Sequence, residues 1–136
     1  LPRSLANQTN TPAHAPFGRF HHSGQIAAYG SLTAEGAGVA VQRYLTDGVD
    51  RMLVPMWLNV QHVADIRGIA AASIVWQDIY HDDQSSPTWS FSDAARDLGA
   101  DAMLYSSRSR PDLSHVVIFQ PELLSYVGPT TLFSHP

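Results

Sequence analysis

Cysteine is absent from this chain of 136 residues, which excludes disulfides, thiolate metal ligands and a cysteine nucleophile. Lysine is missing as well. All eight basic residues are arginine, so no side-chain amine can serve as a Schiff base or general base. Glutamate is scarce: of twelve acids only Glu35 and Glu122 are glutamates, and a paired-glutamate mechanism would have to use both. No apolar run reaches the roughly 18 residues of a membrane-spanning helix, and no signal-peptide core opens the chain. A soluble, cytoplasmic protein without a membrane partner is therefore expected. Basic runs are lacking and the formal charge is −4, which disfavours a direct nucleic-acid grip. Phosphate-loop and dinucleotide glycine patterns, a glycine-flanked nucleophilic serine and internal repeats are not found either. A bound nucleotide would need arginine clamps instead.

What is present suits one domain over 1–136. Hydrophobic content of 44% and charged content of 15% are globular values, and the length supports a core. Residues 1–16, with three prolines and Arg3 as their only charge, read as an extended N-terminal arm. Gln25 to Tyr29 reads as a strand. Thr33 is a fitting N-cap for a helix to Leu45, with Glu35 in its first turn and Ala37, Val41, Tyr44 and Leu45 at buried spacing. Gly36 and Gly38 each cost about 1 kcal/mol inside a helix. Close approach of a backbone or ligand would explain them, and so would a loose first turn.

Arg51 to Val60 is almost continuously apolar and fits a strand covered on both faces, with an edge or bulge at Pro55. Val63 to Ile66 is a second short apolar piece, Ile69 to Ile79 fits helix or loop, and His81 to Pro87 is a polar loop. Ser90 or Ser92 can cap a helix through Leu98, with Ala94, Ala95 and Leu98 inward and Gly99 at C′. Ala102–Tyr105 and Val116–Phe119 read as strands joined by the polar loop Ser106–Ser114, and Leu123–Val127 adds another. Strands and helices interleave irregularly, which predicts an α+β fold.

Seven histidines invite a metal reading, but the spacing does not favour one. His21 and His22 are adjacent and would face opposite sides of a strand, and no His-Glu-x-x-His run occurs. No metal is expected. Three features remain as site candidates: Arg19, Tyr29 and the pair Ser106-Ser107. Singly they pass for a surface arginine, a core tyrosine and turn serines.

Together they resemble the RES domain. The resemblance rests on Gly18-Arg19-Phe20, Ala28-Tyr29-Gly30-Ser31, the small-residue helix, and Gly99-Ala100-Asp101-Ala102-Met103-Leu104-Tyr105-Ser106-Ser107 followed by Val116-Val117-Ile118-Phe119-Gln120-Pro121. That family is named for an arginine, a glutamate and a serine and is similar in fold to ADP-ribosyltransferases. It implies a core of packed β-sheets with flanking helices. It also implies a toxin of a bacterial toxin–antitoxin pair that consumes NAD, by transfer of ADP-ribose to a target protein or by hydrolysis or phosphorolysis. The short chain and minimal arm favour transfer, because they leave the nicotinamide ribose open to a protein acceptor. A non-catalytic binding module of the same fold is the other class.

By this resemblance Arg19, with Arg3 second, binds the NAD phosphates. Tyr29 lies at the nicotinamide end, and Ser107 with its neighbour Ser106 positions the nicotinamide ribose. An Xre-like antitoxin would cover the pocket.

One position departs. The family's glutamate follows its tyrosine by about eleven residues on the inner face of the helix, and that count from Tyr29 reaches Ala40. Three accounts are open: natural loss of activity, replacement by another acid such as Glu35, or an introduced Glu→Ala exchange. Glu35 sits about 140° round the helix from Ala40, which argues against the second account, and because the other site positions are retained the third is favoured.

Overall fold

The structure, a computed structural model, describes residues 18–41, 51–73 and 86–132. The expected arm with Arg3, the helical positions Tyr44 and Leu45, and the stretches 74–79 and 81–85 lie outside the described residues.

In chain order the elements are β1 (Ala28–Ser31), α1 (Ala34–Val41), β2 (Met52–Leu53), β3 (Met56–Leu58), β4 (Val63–Asp65), a 3₁₀ turn (Ala70–Ser73) and α2 (Thr88–Asp97). They continue with β5 (Ala102–Ser106), β6 (Ser114–Ile118), a 3₁₀ turn (Pro121–Leu123), β7 (Leu124–Tyr126) and β8 (Thr131–Leu132). The content is α+β, as expected. Four strands form the central sheet in the order β1-β6-β5-β4. β6 runs antiparallel to both β1 and β5, while β4 joins β5 in parallel. Two ribbons, β2 with β8 and β3 with β7, complete the sheets.

The apolar runs of β5 and β6 are explained by burial on both faces of this sheet. One face packs Met103, Tyr105 and Val117 with Phe20, Ala27, Phe119 and Ala95 of α2. The other gathers Ala28, Ala102, Val116 and Ile118 beneath Leu58 and Leu124 of the β3–β7 ribbon. Alternation along each strand sends neighbours to opposite cores. Asp101 fastens the sheet where β5 begins. Its Oδ2 accepts the backbone N–H groups of Gln61 and His62 at 3.1 and 3.2 Å, and its Oδ1 accepts the Gln120 amide at 2.8 Å.

Several expectations need correction. The first strand starts at Ala28 rather than Gln25. Arg51–Val60 is not one covered strand: Pro55, which has no N–H to give a ladder, separates β2 from β3, and they pair in different ribbons. Trp57 between Met56 and Leu58 is 62% exposed on the outer side. Thr33 does cap α1, its Oγ1 accepting the Gly36 N–H at 3.0 Å. Ser90 and Ser92 do not cap α2. The helix begins at Thr88, and both hydroxyls donate back to carbonyls of the preceding turn, Pro87 and Trp89. Its inward face is also different: Thr88, Trp89, Ser92 and Ala95 are buried, whereas Ala94 is exposed and Leu98 is 88% exposed. Gly99 ends the helix at φ 82°, as expected of a C′ glycine.

Candidate functional site

The site is built on the turn Gly18-Arg19-Phe20-His21. Gly18 N–H donates to the His21 carbonyl at 2.9 Å. A Cβ at position 18 would stand 2.1 Å from His21 Cε1, so only glycine lets the imidazole fold over the turn. Tyr29, on β1, holds the turn from below. Its hydroxyl accepts the Phe20 N–H at 3.0 Å and bonds His21 Nδ1 at 2.6 Å. From the other side α2 supplies one donor for each of three successive carbonyls. Trp89 Nε1 donates to Gly18 at 2.7 Å, the Thr88 hydroxyl to Arg19, and Arg96 Nη1 to Phe20 at 3.0 Å. His22 adds a hydrogen bond between its Nε2 and the Asp93 carboxylate at 2.9 Å and stacks on Trp89 with centroids 4.6 Å apart.

This scaffold presents the Arg19 guanidinium to one face of the central sheet. Its Cζ lies 5.0 Å from the Tyr105 ring centroid and 5.2 Å from that of Phe20. One terminal nitrogen donates to the Ala72 carbonyl. The Nε is buried and has no hydrogen-bond partner, and no carboxylate pairs with the group among the described residues. Burial lowers the Arg19 pKa, opposed by the Tyr105 and Tyr29 hydroxyls and reinforced by Arg108. Arginine nevertheless stays charged in proteins. A half-buried cation without a counter-ion is the arrangement that an anionic ligand relieves.

A row of side chains runs beneath it. Ser31 on β1, His115 on β6 and Tyr105 on β5 are directly paired across the ladder. Ser31 Oγ lies 2.6 Å from His115 Nδ1, and the Tyr105 and His115 rings are 5.5 Å apart. Burial pushes the Tyr105 phenol up to about 12, against the pull of Arg19. Burial and then Arg19 hold the His115 imidazole below its ordinary range.

Of the residues expected from the sequence, Arg19, Tyr29 and Tyr105 share one core, and the buried Ser107 follows Tyr105 just beyond β5. Ser107 N–H continues the ladder to Leu113 at 3.0 Å, and its Oγ accepts the Arg110 N–H at 3.3 Å. Ser106 Oγ accepts the Gly68 N–H at 2.9 Å. Both serines anchor turns and keep a hydroxyl proton to donate.

Ala40 stands in the last turn of α1 and is exposed, not packed inside. It lies one turn beyond the buried Gly36, so the inner stripe of the helix emerges into solvent there. Glu35 is turned elsewhere: its carboxylate meets Arg110 at 3.1 Å on the surface, in a group that includes Asp112.

A separate apolar cavity of about 580 Å³ lies over the opposite face of the sheet, between Val116, Ile118, Leu58 and Leu124. Arg19 does not line it, although Ser31 stands at its edge. Among the described residues no group of three or more His, Asp or Glu side chains is placed to hold a metal, and no helix is long and apolar enough to cross a membrane.

Sequence reasoning missed Ser31, His115 and the α2 donors Thr88, Trp89 and Arg96. Ser31 stood inside a motif that had already been singled out, but its partner is 84 positions away. A family model described as the RES domain matches residues 2–134. No curated protein matches the chain.

Proposed function

The chain belongs to the RES-domain family, which is associated with NAD-utilising toxins, and we propose that it is the toxin of a bacterial toxin–antitoxin pair that transfers ADP-ribose from NAD to a target protein. The observation that carries this reading is Arg19, a half-buried guanidinium with an unpartnered Nε and, among the described residues, no carboxylate partner. An NAD pyrophosphate supplies the missing negative charge, and a planar fork suits it.

Arg19 would hold the pyrophosphate, with Arg3 as a second phosphate ligand. The Tyr29 hydroxyl is committed to Phe20 and His21, so the half-buried ring is what it offers to the nicotinamide end. Ser107 would donate to the nicotinamide ribose, whereas its neighbour Ser106, next to Tyr105 in β5, belongs to the other face of the sheet. Breaking the ribose–nicotinamide bond develops positive charge on the sugar, which a nearby carboxylate stabilises. The methyl group of Ala40 supplies no such charge. The chain as it stands is therefore impaired, and an introduced Glu→Ala exchange accounts for a position that changed while the others stayed. An Xre-like antitoxin would cover this face in the bacterial cytoplasm, and no metal is needed.

The test restores the carboxylate with Ala40→Glu and supplies labelled NAD with a cell extract. Label on an extract protein supports transfer. Free ADP-ribose or its phosphate instead identifies NAD cleavage, and neither product identifies a binding module. An unchanged rate with NAD still bound would sink the placement of the glutamate at position 40.

A further inference from the structure

The row Ser31–His115–Tyr105 crosses three adjacent strands below Arg19, and the NAD reading above leaves Ser31 and His115 without a task. Neighbouring strands are spaced by about 4.8 Å, so Ser31 lies roughly 10 Å across the sheet from the tyrosine beneath Arg19. The arm from a phosphate to the anomeric carbon of its ribose covers roughly half of that span, and the guanidinium–phosphate contact at Arg19 covers most of the rest. A dinucleotide anchored at Arg19 and laid along the row brings that carbon towards Ser31.

The local chemistry is that of an activated hydroxyl. Ser31 Oγ is 2.6 Å from His115 Nδ1, at the point where β1 leaves the sheet for α1. Ser31 is half-buried, so a ligand can reach it, while its partner His115 is 6% exposed and firmly placed. Gly36 keeps the neighbouring turn open: a Cβ there would stand 3.2 Å from Ser31 Cβ and 3.5 Å from its Oγ. The groups facing His115 are Ser31, Tyr105 and the Arg19 charge, and their combined effect keeps the imidazole neutral and able to accept a proton. A serine hydrogen-bonded to a neutral histidine is a nucleophile paired with its base.

Resting on the NAD reading, we propose that Ser31 is an internal ADP-ribose acceptor, with His115 as its base, so that the chain modifies its own β1–α1 junction. Ser31 Oγ bonds to the anomeric carbon of the nicotinamide ribose as the bond from that carbon to the ring nitrogen breaks. The bonding pair leaves with nicotinamide, which departs neutral, and the hydroxyl proton passes to His115 Nδ1. The pyrophosphate at Arg19 offsets the charge that the imidazolium would otherwise meet. The attached ADP-ribose then occupies the Arg19 site, which makes the modification self-limiting.

The experiment incubates the Ala40→Glu chain with NAD labelled in its adenylate half, measures released nicotinamide, and maps the label after cleavage at arginine. The peptide between Arg19 and Arg43 contains Ser31, and its fragments separate Ser31 from Ser23 and Thr33. Label is expected on Ser31, is lost when Ser31→Ala is added, and forms roughly a hundredfold more slowly with His115→Gln, the low end of a general base's contribution. Nicotinamide release from a chain that stays unlabelled, or label confined to another residue, overturns the proposal and leaves the NAD reading standing. No nicotinamide release overturns both.

Discussion

The indole N–H of Trp89 donates to the Gly18 carbonyl at 2.7 Å, joining positions 71 residues apart. With Thr88 and Arg96 it makes one helix the holder of three consecutive carbonyls around Arg19. A side chain is aimed only as well as its backbone is fixed, and here the fixing comes from groups that need not touch a ligand. Trp89→Phe keeps most of the ring volume and leaves the Gly18 carbonyl without its donor. It should cost about 1–3 kcal/mol in urea unfolding and weaken NAD binding without altering any phosphate ligand. A variant of unchanged stability and affinity would show that the helix does not position the turn.

Arg19 itself should behave in the opposite way. It is half-buried, has no carboxylate partner among the described residues and keeps an unpartnered Nε, so its charge is a burden on the folded state. Arg19→Met is expected to change stability by less than about 1 kcal/mol, because the lost bond to Ala72 is offset by relief of burial. NAD affinity should fall more than about tenfold, the loss of one charge-assisted contact. Calorimetric titration and unfolding of the same preparation separate the two effects. A large loss of stability with binding retained would make Arg19 a structural residue.

Alkaline pH reaches the same core through its phenols. Burial raises the Tyr29 pKa well beyond the ordinary range and pushes Tyr105 up to about 12. Unfolded tyrosines ionise near pH 10, so above that pH the unfolded chain has released protons that the folded one still holds. Stability is full below about pH 10 and declines as pH rises towards the folded values, by up to about 1.4 kcal/mol per pH unit for each phenol. Tyr105→Phe should make the decline shallower. Equal slopes in the two proteins would show that Tyr105 ionises freely in the folded state.

The sequence made the turn legible because glycine, arginine and an aromatic stand together, and the late strands legible because their apolar runs are short and flanked by polar loops. α2 was misread for a physical reason. Of the three residues read as inward, Ala95 is buried but Ala94 and Leu98 are not, and the structure instead buries Thr88 and Ser92, whose hydroxyls find partners. Hydrophobic periodicity cannot see a face that is buried for its hydrogen bonds. The Ser31–His115 pair was hidden likewise, since strand register decides it and register is a long-range property.

That pair leads to an acid-side prediction. Burial, with Arg19 adding to it, lowers the His115 pKa from its ordinary value near 6.5. As pH falls below about 6.5, the unfolded histidine takes up a proton while the folded one stays neutral, so the native state loses stability until the folded pKa is reached. A comparison isolates this group. His115→Asn can retain a hydrogen bond to Ser31 but cannot titrate. Between about pH 7 and pH 5 the parent chain should lose stability more steeply than the variant, as read by urea midpoints. NAD should flatten the parent's slope, because a pyrophosphate at Arg19 screens the cation that opposes protonation of His115. Superimposable pH profiles for the two proteins without ligand would mean that His115 titrates as it does in water, and that Arg19 does not govern it.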